Sequence, residues 1–171
     1  SGLASLLMSL GKNVYGSDKN RSSVLSDLSE KGAKIYYRQK GKHINRSIDV
    51  VIYSHAIVPD NPEYRRSVEY NIPMLTYPEA VGLIMKNKRG IAISGTHGKT
   101  TTSSLIVSIL TTAGCSPSFL LGGEIHNVGN SGVGKSDFLV VEACEYKRSF
   151  LNYMPEIAVV TNVEKDHLDY Y

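Results

Sequence analysis

Apolar residues recur at helical spacing from the first turn of the chain. Leu3, Leu6, Leu7 and Leu10 share a face, and Gly11 ends the run. Residues 13–16 then read as a short strand, with Ser17 and Asp18 at its carboxyl end. Residues 23–31 form an amphipathic pattern that stops at Gly32, and 34–37 is again strand-like. The run Asp49-Val50-Val51-Ile52-Tyr53 is a buried-type strand. Pro59 and Pro62 interrupt the chain before a short helix over 63–70 and a strand over 72–75. Pro78 opens a helix that reaches Met85, because a first-turn residue has no intrahelical acceptor for the N–H that proline lacks.

The pattern changes after residue 85. Residues 86–90 read as a linker, and the basic stretch Lys86, Lys88 and Arg89 as part of it. An apolar strand over 91–94 enters a glycine-rich turn, and a long helix follows over 99–112, ended by Ala113-Gly114. Strands are expected at 117–121, 138–142 and 157–161, with a Gly/Asn/Ser loop over 124–135 and a polar cluster over 162–169. Strands alternating with helices predict an α/β fold with a mainly parallel sheet. Two domains are expected, 1–88 and 89–171. The first matches a Rossmann-like domain entered at its first helix, without the strand and G-x-G-x-x-G turn that normally lead in. Asp18 follows the second strand of that pattern, where such folds place an acid on a ribose; Gly16-Ser17-Asp18 also reads as an ordinary turn.

Composition narrows the class. At 42% hydrophobic and 20% charged residues the chain is not of disordered type. No apolar run approaches the roughly 18 residues of a membrane span, so no membrane insertion is expected. No basic, apolar leader marks export, and Cys115 and Cys144 are too few for a disulfide scaffold, so a reduced cytoplasm is the expected location. The net charge of +3 is too small to argue for nucleic acid. Its distribution is uneven: residues 1–90 carry 14 Lys and Arg against 8 Asp and Glu, and residues 91–171 carry 5 against 8. A basic half suits an anionic ligand and an acidic half a metal ion, although solvated surface charge explains the split equally well.

The strongest chemical signal is Ile91-Ala92-Ile93-Ser94-Gly95-Thr96-His97-Gly98-Lys99-Thr100-Thr101-Thr102. A strand, a glycine turn and a helix start let successive N–H groups converge on phosphate oxygens, reinforced by the positive end of the helix dipole. Lys99 supplies a charge for β and γ phosphates, and the Thr100 hydroxyl a ligand for Mg²⁺. The position five before Gly98 is Ile93, so the loop is shorter than G-x-x-x-x-G-K-[ST]. His97 reads as a plain loop residue, a loop-fixing one or a substrate contact.

Glu142 ends the 138–142 strand, and His167 follows the 157–161 strand. Ligands of open α/β sheets gather at the carboxyl ends of strands, which puts both near the phosphate loop. Glu142 and Thr100 suit a hard divalent ion on ATP, and a second ion could use His167. Taken singly, Glu142 reads as well as a surface acid, His167 as a structural histidine, and Asp166 and Asp169 as turn or helix caps.

These segments together resemble the Mur ligases of peptidoglycan precursor synthesis. The resemblance runs through Ser1-Gly2-Leu3-Ala4, Gly16-Ser17-Asp18, Ser54-His55-Ala56-Ile57, Asn61-Pro62-Glu63, the phosphate loop, Gly122-Gly123, Asn130 and Glu142-Ala143-Cys144-Glu145. It continues in Ser149-Phe150-Leu151 and in the segment from Thr161-Asn162 through Asp166-His167-Leu168-Asp169-Tyr170. It implies a three-domain enzyme with a UDP-sugar domain, an ATP domain and a third domain. It further implies that a uridine-diphosphate loop precedes Ser1, that the third domain follows Tyr171, and that these 171 residues alone do not ligate.

The implied reaction activates the lactyl carboxylate of UDP-N-acetylmuramate with ATP to an acyl phosphate, which the amine of L-alanine then attacks. Implied nucleotide contacts are Gly95, Thr96, His97, Gly98, Lys99, Thr100 and Thr101, and Mg²⁺ ligands are Thr100, Glu142 and His167. Lys99, Glu142 and His167 would carry catalysis, and Asp18, Ser54, His97 and Asn130 would face the substrate. Two positions depart from the family pattern. Cys144-Glu145-Tyr146-Lys147 replaces a more acidic run, and Tyr77 stands where an arginine is common. The alternatives are a relative that attaches a tripeptide to the same UDP-sugar, a nucleotide-binding NTPase module without ligase chemistry, and, from the first half alone, a dinucleotide oxidoreductase.

Overall fold

A computed structural model of the chain describes residues 2–125 and 129–165. The chain divides into two compact units, one of residues 7–80 and the other of residues 2–6 with 81 onward. Helix α1 (Gly2–Ser9) buries Leu3 and Leu6. Leu10 was expected on that face but is 47% exposed, because the helix ends at Ser9 and the chain turns back through Leu10 N–H to Leu7 O.

The 7–80 unit holds two parallel strand pairs, each closed by a helical crossover. Strands β1 (Tyr15–Ser17) and β2 (Lys34–Tyr36) are joined through α2 (Ser23–Glu30). Strands β3 (Val51–Tyr53) and β4 (Met74–Thr76) are joined through α3 (Pro62–Glu69). Side-chain caps set where both helices begin. Ser22 accepts from Leu25 N–H, and Asn61 accepts from Glu63 and Tyr64 N–H at 2.8 and 3.2 Å, with Pro62 in the first turn.

Helix α4 (Tyr77–Met85) opens on a reciprocal capping box. The Glu79 carboxylate accepts both Thr76 N–H and Thr76 Oγ1–H at 2.7 Å, while Glu79 N–H reaches Thr76 Oγ1 at 3.5 Å. The two bonds from Thr76 hold the Glu79 carboxyl below its usual value of 4.5. A lowered folded-state pKa means the stabilisation is complete above about pH 4.5 and is lost as pH falls through the folded value. Thr76→Ala should cost about 1 kcal/mol. The melting-temperature gap between the parent and Glu79→Gln should be widest near neutral pH and close in acid. A gap independent of pH would show that the box does not act through the ionised carboxylate.

The second unit is one five-stranded sheet. Its strands are β5 (Arg89–Ser94), β6 (Ser118–Ile125), β7 (Gly129–Gly132), β8 (Phe138–Glu142) and β9 (Ile157–Val160), in spatial order β7-β6-β8-β5-β9. All pairs are parallel except β6–β7. Helix α5 (Lys99–Thr112) follows β5 and places Val107 in a core with Ile91, Ile93, Phe119, Leu121 and Val140. The α/β class with mainly parallel strands expected from the pattern is the one found.

Two expectations need correction. Residues 86–90 are not all linker, since β5 begins at Arg89. Arg89 makes a two-bond ion pair with Glu156 at 2.7 and 2.9 Å and lies 4.6 Å over the Phe138 ring, so neighbouring parts of the same unit hold it. Nor are residues 124–135 all loop. β6 runs to Ile125, and Gly129–Gly132 pairs with it antiparallel, Phe119 opposite Gly132. Gly-Asn-Ser-Gly shows no apolar alternation, so nothing local marks it as a strand. The ladder to β6 orders it, and a Cβ at Gly132 would lie 2.3 Å from the Phe119 ring that occupies the space.

Candidate nucleotide-binding site

Strand β5 lies between β8 and β9, all three parallel, with Ile93 opposite Glu142 and Ser94 opposite Val160. The loop after β5 is therefore flanked by the segments that follow β8 and β9. Strand order also reverses here, since β8 and β6 lie on one side of β5 and β9 on the other. This is the crevice in which open α/β sheets bind ligands.

Glycines make the loop possible. Gly95 has φ +132°, and a Cβ there would sit 2.1 Å from Thr161 Oγ1. Gly98, at φ +80°, is the N-cap of α5 and offers no side-chain acceptor. The first N–H groups of α5 have no intrahelical partner, so they and the positive end of a 14-residue helix face the loop as an anion site. Gly95→Ala would meet both the positive φ and the Thr161 hydroxyl. We expect the variant to lose nucleotide affinity by about 5- to 150-fold, for strain of roughly 1–3 kcal/mol. Unchanged nucleotide affinity by calorimetry would contradict this geometry.

Lys99 is held inside the loop. Its ammonium donates to Gly95 O at 2.5 Å and Thr96 O at 3.2 Å and pairs with the Glu145 carboxylate at 3.2 Å. Both side chains are under one-fifth exposed. The loop carbonyls fix where the charge stands, and Glu145 neutralises it.

Thr100 Oγ1–H donates to Glu142 Oε2 at 3.2 Å. The other carboxylate oxygen, Glu142 Oε1, is buried with no hydrogen-bond partner among the described residues. Leaving such an atom unpaired costs on the order of 1–3 kcal/mol, more when charged, so it marks a place for a cation or donor. Strand β6 passes close to both side chains through two glycines. A Cβ at Gly122 would lie 3.0 Å from Glu142 Oε2, and one at Gly123 would lie 2.8 Å from Thr100 Cγ2. One carboxylate and one hydroxyl beside a phosphate loop fit Mg²⁺, which usually keeps several waters and takes the rest of its shell from substrate phosphates. No cluster of three or more His, Cys, Asp or Glu forms a protein-only metal cage among the described residues.

The structure brings Gly95, Thr96, His97, Gly98, Lys99, Thr100 and Thr101 together with Glu142 at this edge. The His97 ring is 72% exposed, with Nε2 3.9 Å from Glu164; its backbone, not its ring, is tied down. Asn130 is on β7, in the strand paired with β6. His167 lies outside the described residues, as do Asp166 and Asp169. Asp18 and Ser54 are in the other unit. There they line an open cleft of about 630 Å³ with Tyr15, Asn61 and Tyr64, at the carboxyl ends of β1 and β3.

Some partners carry no expectation of their own from local pattern. Glu145 sits three residues beyond a strand-end carboxylate, and nothing in that spacing points to Lys99. Thr161, Asn162 and Glu164 bind the loop through polar groups that read as generic turn residues. Their advance signals are their place at the end of a parallel strand, which shares the ligand edge, and the family resemblance of the segment that begins at Thr161-Asn162.

Two family models match the chain: Mur ligase family, catalytic domain, over residues 1–89, and Mur ligase middle domain over residues 93–171. UDP-N-acetylmuramate–L-alanine ligases of Clostridium acetobutylicum and Clostridium botulinum are 47% and 44% identical across the whole chain. The chain spans 38% of the length of each. Among solved structures, the UDP-N-acetylmuramate–alanine ligase of Thermotoga maritima aligns with TM-score 0.86 at 28% identity, over 98% of this chain and 41% of that one. The UDP-N-acetylmuramate:L-alanyl-γ-D-glutamyl-meso-diaminopimelate ligase of Neisseria meningitides aligns with TM-score 0.85 at 25% identity, over 99% and 59%.

Proposed function

The chain belongs to the Mur ligase family, and from that premise we propose that it supplies UDP-sugar- and ATP-binding parts of an ATP-dependent ligase joining L-alanine to UDP-N-acetylmuramate. Residues 1–88 are the UDP-sugar domain and 89–171 the ATP domain in this reading. The observation that carries it is the meeting of Lys99, Thr100 and the unpaired Glu142 Oε1 at one strand edge. The 44–47% identity to L-alanine ligases supports the choice of amino acid.

The reaction has two displacements. A carboxylate oxygen of the sugar's lactyl group attacks the γ-phosphorus of ATP, and the bond to the departing ADP breaks. The neutral amine of L-alanine then adds to the acyl carbon, phosphate leaves, and the nitrogen gives one proton to water or the departing phosphate and keeps the other as the amide N–H. The transferred phosphoryl group needs positioning and charge stabilisation more than covalent help. The N–H groups at the start of α5 and the Lys99 ammonium supply these at fixed positions. Thr100 and Glu142 would hold Mg²⁺, with His167 a ligand for a second ion; such ions supply charge neutralisation on the phosphates. Asp18, Ser54, His97 and Asn130 are proposed to contact the UDP-sugar. A cytoplasmic location follows from these soluble substrates, and no helix of the described residues is long and apolar enough to cross a membrane.

The Neisseria structure keeps a second reading open, because a tripeptide ligase shares the fold as fully as an L-alanine ligase does. Assay of the full-length protein with UDP-N-acetylmuramate, ATP and each amine separates them. Product with L-alanine is expected. Product with the tripeptide alone overturns the L-alanine assignment, and ATP hydrolysis that needs neither co-substrate overturns the ligase reading.

A further inference from the structure

The hydrogen bonds of the phosphate loop are unevenly shared. Thr96 N–H donates to Asn162 O at 3.3 Å, and His97 N–H donates to Asn162 Oδ1 at 2.9 Å. The same carboxamide returns a bond from Nδ2 to His97 O at 3.2 Å. Thr161 Oγ1–H is shared between His97 O at 2.6 Å and Ser94 O at 3.2 Å. Thr96 Oγ1 accepts Glu164 N–H at 3.0 Å. A segment more than 60 residues away in sequence thus occupies both N–H groups in the middle of the loop.

We propose that Thr161 and Asn162 are positioning residues that set which loop donors face the nucleotide. Free to turn inward, the Thr96 and His97 N–H groups would compete with those of the α5 start for phosphate oxygens. Asn162 removes them from that role, holding Thr96 N–H on its backbone carbonyl and clamping His97 by both its N–H and its C=O through its carboxamide. Gly98 and the first residues of α5 keep theirs. Thr161 completes the clamp from the crevice that Gly95, lacking a side chain, leaves open; a Cβ at Gly95 would overlap the Thr161 hydroxyl. Lys99 depends on the same geometry, since two of its three contacts are the Gly95 and Thr96 carbonyls that the clamp holds in place. Neither residue reaches a reacting atom through this arrangement; both act through the loop.

The inference rests on the ATP-binding role proposed above, and the test separates the two. In the full-length protein, KM for ATP, KM for the UDP-sugar, kcat and direct ADP binding by calorimetry are measured for the parent, Asn162→Ala, Thr161→Val and Thr161→Ser. Each lost clamp should raise KM for ATP and Kd for ADP about tenfold, the size of one or two net hydrogen bonds. KM for the UDP-sugar should rise less than KM for ATP, since His97 is the one proposed UDP-sugar contact that the clamp holds. Thr161→Ser keeps the hydroxyl and should return close to parent values, whereas near-isosteric Thr161→Val should not. A general loss of folded protein would lower apparent kcat without moving KM for ATP. ATP and ADP constants unchanged in Asn162→Ala, or Thr161→Ser behaving like Thr161→Val, overturn the inference. A parent protein that binds no adenine nucleotide overturns the functional reading and this inference with it.

Discussion

Lys99→Ala is expected to lower ligase turnover by about 10²–10³-fold, the usual loss when one pre-organised stabiliser of transition-state charge is removed. That corresponds to roughly 3–4 kcal/mol of barrier. The expectation rests on where the ammonium is held. It sits on the Gly95 and Thr96 carbonyls, inside the loop that α5 opens, and does not sweep through solvent as a surface lysine does. The variant also removes the Lys99 ammonium that pairs with the Glu145 carboxylate. Removing that acid as well, in Lys99→Ala/Glu145→Ala, should recover part of the nucleotide affinity but little of the turnover. Steady-state kinetics with saturating UDP-sugar and L-alanine read the first effect, and nucleotide binding reads the second. Turnover of Lys99→Ala within tenfold of the parent would remove Lys99 from the catalytic group.

Glu142→Gln should separate activity from stability. The substitution keeps shape and leaves an oxygen to accept the Thr100 hydroxyl, but it removes the charge. If the buried Oε1 is the cation-facing oxygen, turnover should fall by about 10²-fold and more Mg²⁺ should be needed to saturate. The metal-free protein should meanwhile melt later than the parent by the equivalent of ~1 kcal/mol, because an unpaired buried carboxylate oxygen is costly. A residue present only for structure would lose stability and keep its metal requirement. Titration of activity against Mg²⁺, beside thermal melts in chelator, reads both. An unchanged Mg²⁺ requirement would falsify the assignment of Glu142 as a metal ligand.

The site edge was legible because its parts announce themselves locally. An apolar strand, glycines, Lys-Thr-Thr and a long helix lie within about twenty residues, and each choice agrees with its neighbours. Glu142 announced itself in the same way, as a carboxylate ending an apolar run. The capping box at Thr76 and Glu79 also lies within one turn, but Pro78 between them was the residue that marked the helix start. β7 was not legible, since Gly-Asn-Ser-Gly has no pattern of its own and becomes a strand only by pairing with β6. Arg89 was misassigned to a linker for a related reason. Its partner Glu156 is 67 residues away, and a lone basic run looks the same whether solvated or paired.

By itself the sequence determined the α/β class, the glycine-rich turn between strand and helix and the strand-end acid, because turn chemistry and side-chain periodicity act over a few residues. Only the tertiary structure decided that β5 lies between β8 and β9. From that order follow the pairing of Lys99 with Glu145 across 46 residues and the clamping of His97 by Asn162 across 65. Strand order is chosen by which buried faces pack together once the chain has closed its long crossovers, and no local pattern records that choice. The backbone around Lys99 was therefore visible in the sequence, while the groups that aim it became visible only in the folded sheet.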